Sequence, residues 1–230
     1  MVELVRRSAF TRAQEDYLKA LYHLHGDLRP VPTRDLAQRL GISSPSVSEM
    51  VSRLTAQGLV EHDRYRGQQL TREGRKVALE LVRHHRLLEM FLVQVLGYHW
   101  DEVHDEAERL EHVMSERMEQ RIFELLGRPE LDPHGHAIPT ASGKVRSLSE
   151  RPLSECHAGE KVLVQGVSDE DAGRLRELER RGLLPGTRIE VVAVSEYEGP
   201  IEVRIKGRRV SIPLGLARGM FVEGARQLGR

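Results

Sequence analysis

Cysteine is nearly absent from this 230-residue chain, Cys156 being the only one. A disulfide framework within the chain is thereby excluded, and a cytoplasmic protein is the expectation. Long apolar runs are missing too: nothing approaches the ~18 residues that a membrane-crossing helix needs, so no membrane partner is expected. The opening MVELVRRSAFTRAQEDYL has no apolar core followed by a small-residue cleavage site and does not read as a signal peptide. Net charge is also lacking, with 35 Lys+Arg against 35 Asp+Glu. The cancellation is uneven along the chain. Residues 1–75 hold 12 basic and 9 acidic side chains, residues 76–135 hold 7 and 13, and residues 136–230 hold 16 and 13. An acidic middle between mildly basic ends fits a cation site within and an anionic partner at one end. What the chain has in quantity is histidine: 11 residues, 10 of them before position 140.

The pattern of apolar residues predicts a mainly α chain with a small C-terminal β-barrel. Three helices are expected first: residues 11–25 with Thr11 as cap, 32–41 between Thr33 and Gly41, and 42–59 with Ser43 or Ser44 as cap and Gly58 as stop. The second and third make a helix-turn-helix. VEHDRYRGQQLT (60–71) alternates and turns at Arg66-Gly67, which reads as a two-stranded wing. A long amphipathic helix follows over 71–97, then a helix through 103–115 and another up to Gly127. Residues 128–147 are rich in Pro, Gly and Ser. Beyond Leu148, KVLVQGV, RIEVVAV, IEVRIKG and RRVSIPL are short β-branched runs with one helical piece, DEDAGRLRELERRG, among them. The domains expected are therefore a winged helix-turn-helix over 1–75, a helical domain over 76–140, a linker over 141–150 and a small barrel over 151–230.

The third helix suits a major groove. Ser43, Ser44, Ser46, Ser48 and Glu49 lie outside, Pro45 sits in the first turn, and Val47, Met50, Val51 and Leu54 form the core stripe. Arg53 completes the DNA-facing set, and Arg64, Tyr65 and Arg66 of the wing suit phosphates. A helical hairpin without any nucleic-acid role gives the same pattern. No Arg or Asn in the helix's exposed N-terminal set is placed for bidentate base contacts, so specificity is expected from fit and DNA shape. The modest charge argues for a dimer on two half-sites of double-stranded DNA.

The acidic middle holds the unusual chemistry. If VHDEAERLEHVMS (103–115) is one helix, His104, Glu108, Glu111 and His112 stand at i, i+4, i+7 and i+8 on a single stripe. The helix before it offers His85 and Glu89 at i, i+4, and the first helix offers Asp16 beside Tyr17. A solvated acidic face, partly paired with Arg109 and Arg117, is the bland account. It leaves His104 and His112 without a role. The spacing His-x3-Glu-x3-His can also hold a hydrolytic zinc, but no general base or oxyanion device stands nearby. Carboxylates with imidazoles and no thiolate suit Mn(II) or Fe(II).

SPSVSEMVSRLTAQGLV, LTREGRKVA, HHRLLEMFL, VHDEAERLEHVMSERMEQRI and DPHGHAIP resemble the diphtheria toxin repressor family of metal-dependent transcriptional regulators, densely over residues 8–140. The β-rich end is similar to the SH3-like (FeoA-type) domain of the longer members. The resemblance implies a homodimeric winged-helix regulator that binds an inverted-repeat operator when loaded with metal and represses metal-uptake genes. It implies two or more ions per subunit. A main site maps onto Asp16, Glu108, Glu111 and His112 with His85 nearby. An ancillary site maps onto His85, Glu89 and His104, completed by a C-terminal-domain carboxylate, Asp171 first and Glu170 second. A third variant in the family would use Glu89, Asp132 and His134, with His136 structural. Iron regulators carry methionine and cysteine where this chain has Asp16 and Glu108; the resemblance is to the manganese type, with Mn(II) as cofactor and Fe(II) as the alternative. The short manganese regulators have a second carboxylate where this chain has Lys19. A metal joining Asp16 to the middle of the chain would set the spacing of the two recognition helices. The alternative from another class is a metal-dependent hydrolase or metal store.

Overall fold

The computed structural model describes residues 10–195 and 197–224; the first nine residues, part of the stretch read above for a leader, lie outside them. The chain divides into two compact units. One takes Met1–His84, Glu111–Met114 and Pro139–Lys144, and the other takes His85–Leu110, Ser115–Ile138 and Val145–Arg230.

The first unit begins with α1 (Arg12–His23). Thr11 and Gln14 form the reciprocal capping box that starts it. α2 (Thr33–Leu40) follows; its N-cap is Pro32, one residue before the Thr33 expected from sequence. The Thr33 hydroxyl instead meets Gln68 Oε1 at 3.3 Å. Gly41 ends α2 in the left-handed region at φ 66°, where a Cβ is strained. Ser43 caps α3 (Ser44–Ala56), with Pro45 in its first turn. β1 (Val60–Asp63) and β2 (Gly67–Leu70) pair antiparallel from Val60–Leu70 to Asp63–Gly67, the wing read from sequence. Leu18, Leu21, Leu36, Val47, Val51 and Leu54 are almost wholly buried and form the shared core of the three helices. Each such side chain contributes about 1.5–3 kcal/mol by leaving water.

α4 (Arg72–Gln94) divides between the units at His84 and His85. α5 (Val103–Leu110) and α6 (Glu116–Leu125) follow. The expected continuous helix over 103–115 is not formed. α5 ends at Leu110, residues 111–113 are a turn, and Ser115 caps α6 by accepting from Met118 N–H. Glu111 and His112 leave the helix and reach charged partners on α1 in place of continued helical hydrogen bonding.

The remainder of the second unit is a five-stranded antiparallel sheet, ordered β6-β5-β4-β3-β7. Its strands are β3 (Lys161–Val167), β4 (Arg188–Val194), β5 (Ile201–Ile205), β6 (Arg208–Ile212) and β7 (Met220–Gly224). α7 (Ala172–Arg180) connects β3 to β4, and the short α8 (Leu214–Ala217) precedes β7. Trp100, Val164, Leu175, Val191, Val203 and Val222 share its core. The DPHGH loop lies against β3. Val167 N–H donates to His134 O at 2.9 Å, and a Cβ on Gly135 (φ 90°) would collide with Gln165 O. Among the described residues no helix is long and apolar enough to cross a membrane.

Candidate metal centres and DNA-facing surface

Two clusters of charged side chains are buried or half-buried, one in each unit. In the first, α1 supplies Glu15, Asp16 and Lys19, and the turn after α5 supplies Glu111 and His112. His112 Nδ1 lies 2.7 Å from Glu15 Oε2, which fixes the ring and assigns a proton to Nδ1. His112 Nε2 then faces Asp16 Oδ1 at 3.0 Å and Glu111 Oε1 at 3.6 Å. Asp16 Oδ1 and His112 Nε2 are both buried, and neither has a hydrogen-bond partner among the described residues. Two lone pairs at that distance repel unless a proton or another cation lies between them. Burial opposes a charge on His112, but Asp16, Glu15 and Glu111 overcome it and raise its pKa to about 9. Lys19 Nζ donates to both oxygens of Glu111, at 2.8 and 2.7 Å.

The second cluster is richer in imidazole. His85 Nε2 lies 3.0 Å from Glu89 Oε1 and 3.1 Å from His104 Nδ1. His104 Nδ1 reaches Asp169 Oδ2 at 3.6 Å. His134 Nε2 meets the Trp100 carbonyl at 2.8 Å, so Nε2 carries a proton and Nδ1 faces Glu89 Oε2 at 3.6 Å. Glu89 Oε2 and His134 Nδ1 are both buried and face each other, as Asp16 Oδ1 and His112 Nε2 do. Asp169 and Glu89 raise His104 to about 10 against its burial. His134 rises to about 9 because Glu89 and its neighbouring carboxylates outweigh its desolvation. Glu89 is desolvated, yet His85, His104 and His134 hold it well below the usual carboxylate range, and Asp169 is likewise lowered by His104 and His136.

The expected site residues fall unevenly between these clusters. Asp16, Glu111 and His112 come together in the first; His85, Glu89 and His104 come together in the second. Glu108 stands on α5 with Oε2 at 3.5 Å from His85 Nδ1. His134, expected with Glu89 and Asp132 in the third variant, has Nδ1 at 3.6 Å from Glu89 Oε2. Asp132 is already engaged: Oδ1 accepts from His134 N–H at 2.9 Å and His136 N–H at 2.8 Å, and Oδ2 meets His136 Nδ1 at 3.1 Å. Asp171 is not among the clustered groups. Its Oδ1 caps α7 by accepting from Gly173 and Arg174 N–H. The carboxylate that reaches the cluster is Asp169, two residues earlier, which the sequence reading missed. Its signal is the acidic run SDED at the start of α7, in which only one acid is needed as a cap.

Of the residues expected to face DNA, Ser43, Ser44, Pro45, Ser46, Ser48, Glu49 and Arg53 are all exposed, as are Arg64, Tyr65 and Arg66. Several are partly occupied. Ser43 and Ser46 share a hydroxyl hydrogen bond of 2.8 Å, Ser48 Oγ donates to Ser44 O at 3.1 Å, and Arg53 pairs with Glu49. Asp63 Oδ1 accepts from Tyr65 and Arg66 N–H, holding the wing tip in a fixed turn. α1 grips both ends of α3: Tyr17 OH donates to Ser46 O at 3.3 Å, and Gln14 Nε2 donates to Gln57 Oε1 at 2.9 Å. The helix that carries Asp16 thus also positions the recognition helix.

Models of known families match almost the whole chain. The iron dependent repressor N-terminal DNA binding domain matches residues 9–68, the iron dependent repressor metal binding and dimerisation domain matches 71–140, and the FeoA domain matches 151–224. The iron-dependent repressor IdeR of Mycobacterium leprae is 35% identical over 91% of this chain and 96% of its own length. The diphtheria toxin repressor of Corynebacterium glutamicum is 31% identical over 91% and 95%. A solved manganese-dependent transcriptional repressor in complex with manganese superposes with a TM-score of 0.86 at 41% identity, covering 92% of this chain and 99% of that one.

Proposed function

The chain belongs to the iron-dependent repressor family, that of IdeR and the diphtheria toxin repressor, and we propose that Mn(II) is the ion that activates it. As a member it is a metal-dependent, DNA-binding transcriptional repressor that works as a dimer, and not an enzyme. Its work on DNA sets it in the cytoplasm, and genes of metal uptake are its targets in this reading.

The observation that carries the reading is the convergence of Asp16, Glu111 and His112, with His112 Nε2 facing Asp16 Oδ1 at 3.0 Å. A proton on Nε2 holds that pair together in the metal-free chain, and a divalent cation would take its place. Oxygen and imidazole donors without a thiolate favour Mn(II) over softer ions. The repressor whose structure holds manganese supports the same ion, while the IdeR relatives favour Fe(II) as the second reading. Asp16, Glu111 and His112 would hold one ion, and His85, Glu89, His104 and Asp169 would hold another, with His134 Nδ1 facing Glu89 Oε2.

Asp16 of α1 and Glu111 and His112 of the turn after α5 would hold a divalent ion, which would supply positive charge among their donors. The rest is done by the chain. Glu15 orients His112, Asp16 draws the turn onto α1, and Tyr17 and Gln14 pass the position of α1 to α3. An ion that prefers this arrangement populates it, and linkage requires DNA to tighten metal binding in return.

The test is selection of bound duplexes from a random DNA pool, with Mn(II), with anaerobic Fe(II), and with chelator. An inverted repeat enriched by Mn(II) is expected. Enrichment by Fe(II) alone would reassign the ion, and enrichment in chelator would sink metal activation.

A further inference from the structure

The hairpin that joins β5 to β6 gathers positive charge at a local cost. Lys206 and Gly207 form its turn, both in the left-handed region, with φ at 46° and 83°. Asn-Gly is the pair favoured in that geometry, and a long side chain at the first position is strained. The strand register also sets Arg204 directly opposite Arg209, a like-charged pair that weakens the ladder. Glu190 pairs with Arg204 at 2.7 Å. Lys206, Arg208 and Arg209 are exposed and have no acidic partner among the described residues. β6 is an edge strand, and charge on an edge guards against pairing with another chain. Either sign of charge gives that protection, however, and it requires no lysine in the turn. Unpaired cations of one sign on a narrow projection suit a polyanion.

We propose that this hairpin is a second DNA contact, in which Lys206, Arg208 and Arg209 hold backbone phosphates without reading bases. DNA is the polyanion that a chain with this N-terminal domain already binds. The inference rests on that DNA-binding reading and not on which ion activates the protein. Lysine and arginine on phosphates release counterions, so the contact adds affinity that salt removes.

The test is fluorescence anisotropy of the metal-loaded, full-length chain on its selected operator, extended by random sequence at both ends, over a range of salt. Lys206→Asn/Arg208→Gln/Arg209→Gln should flatten the slope of log affinity against log salt by about 2.7, three phosphates at about 0.9 each. Between about 50 and 200 mM salt the wild type should therefore lose about fortyfold more affinity than this variant. Arg208→Lys/Arg209→Lys keeps both charges and should keep the wild-type slope. Lys206→Asn alone should lower the slope by about 0.9, while its Tm equals or exceeds that of the wild type, because Asn suits the turn. That pairing separates a lost phosphate contact from damage to the domain. A wild-type slope in the triple variant would overturn the proposal and leave the hairpin to edge protection or to an acidic protein. Absence of wild-type binding with Mn(II) and with anaerobic Fe(II) would sink metal activation as well as this contact.

Discussion

The two buried clusters are built from the same residue types in opposite proportion. The first sets Glu15, Asp16 and Glu111 against one imidazole and one ammonium. The second sets His85, His104, His134 and His136 against Glu89, Asp132 and Asp169. Histidines can neutralise their neighbours by taking protons from water, so the second cluster can balance its charge without any metal. The first can take up only one proton, on His112, and keeps a carboxylate in excess. A cation therefore has more to gain in the first, which is also the cluster on the helix that grips α3. The second is suited to hold structure, and the first to respond.

The sharpest way to break that distinction is Glu89→Ala. Glu89 is fully buried and faces three imidazoles. Its removal leaves buried positive groups without a partner, and a cost of about 3–5 kcal/mol is expected in chelator-treated protein. Urea denaturation measures it, and a change too small to resolve would deny the second cluster its structural role. Next comes Asp16→Ala. It should fold as a dimer but lose the metal response, typically about 1–3 kcal/mol of coupling. Fluorescence anisotropy with an operator duplex reads this, and unchanged stimulation by Mn(II) would end the distinction from the other side.

The smallest effect is in pH. His112, raised to about 9, is protonated at neutral pH in the metal-free chain. That proton stabilises the fold. The contribution is fully present below the ordinary histidine value of 6.5 and is lost as pH rises through about 9. Metal needs the neutral ring, so its uptake must displace the proton. Apparent affinity at this centre should climb about tenfold, or ~1.4 kcal/mol, per pH unit, and level off above the raised pKa. Proton release measured in weak buffer, wild type minus Asp16→Ala, isolates the centre; zero difference at pH 7 would mean His112 is already neutral.

Much of this architecture was legible from short-range signals. Capping residues, Pro45 and the glycines at the helix ends located α1, α2 and α3, and strict alternation located the wing. These are local devices, and local devices write themselves into sequence. The failures share the opposite cause. Periodicity carried a helix through Glu111 and His112, but their partners Lys19 and Glu15 lie more than ninety residues away in the chain. The stripe is thereby broken: His104 and Glu108 stay on α5, while Glu111 and His112 lie in the turn after it. Likewise, SDED offers three acids and only one N-cap; which acid turns toward His104 is decided by how β3 enters α7, and no window of sequence reports that.

The press of Gly135 against Gln165 has a consequence for how such a protein can be shortened. The loop bearing His134 and His136 uses β3 as its floor, and Asp169 follows directly on that strand. Ending the gene at residue 150 would discard more than an appendage. It would subtract one negative charge from among three histidines and remove the surface that shapes their loop. A chain without the tail would need another floor and another carboxylate for this pocket.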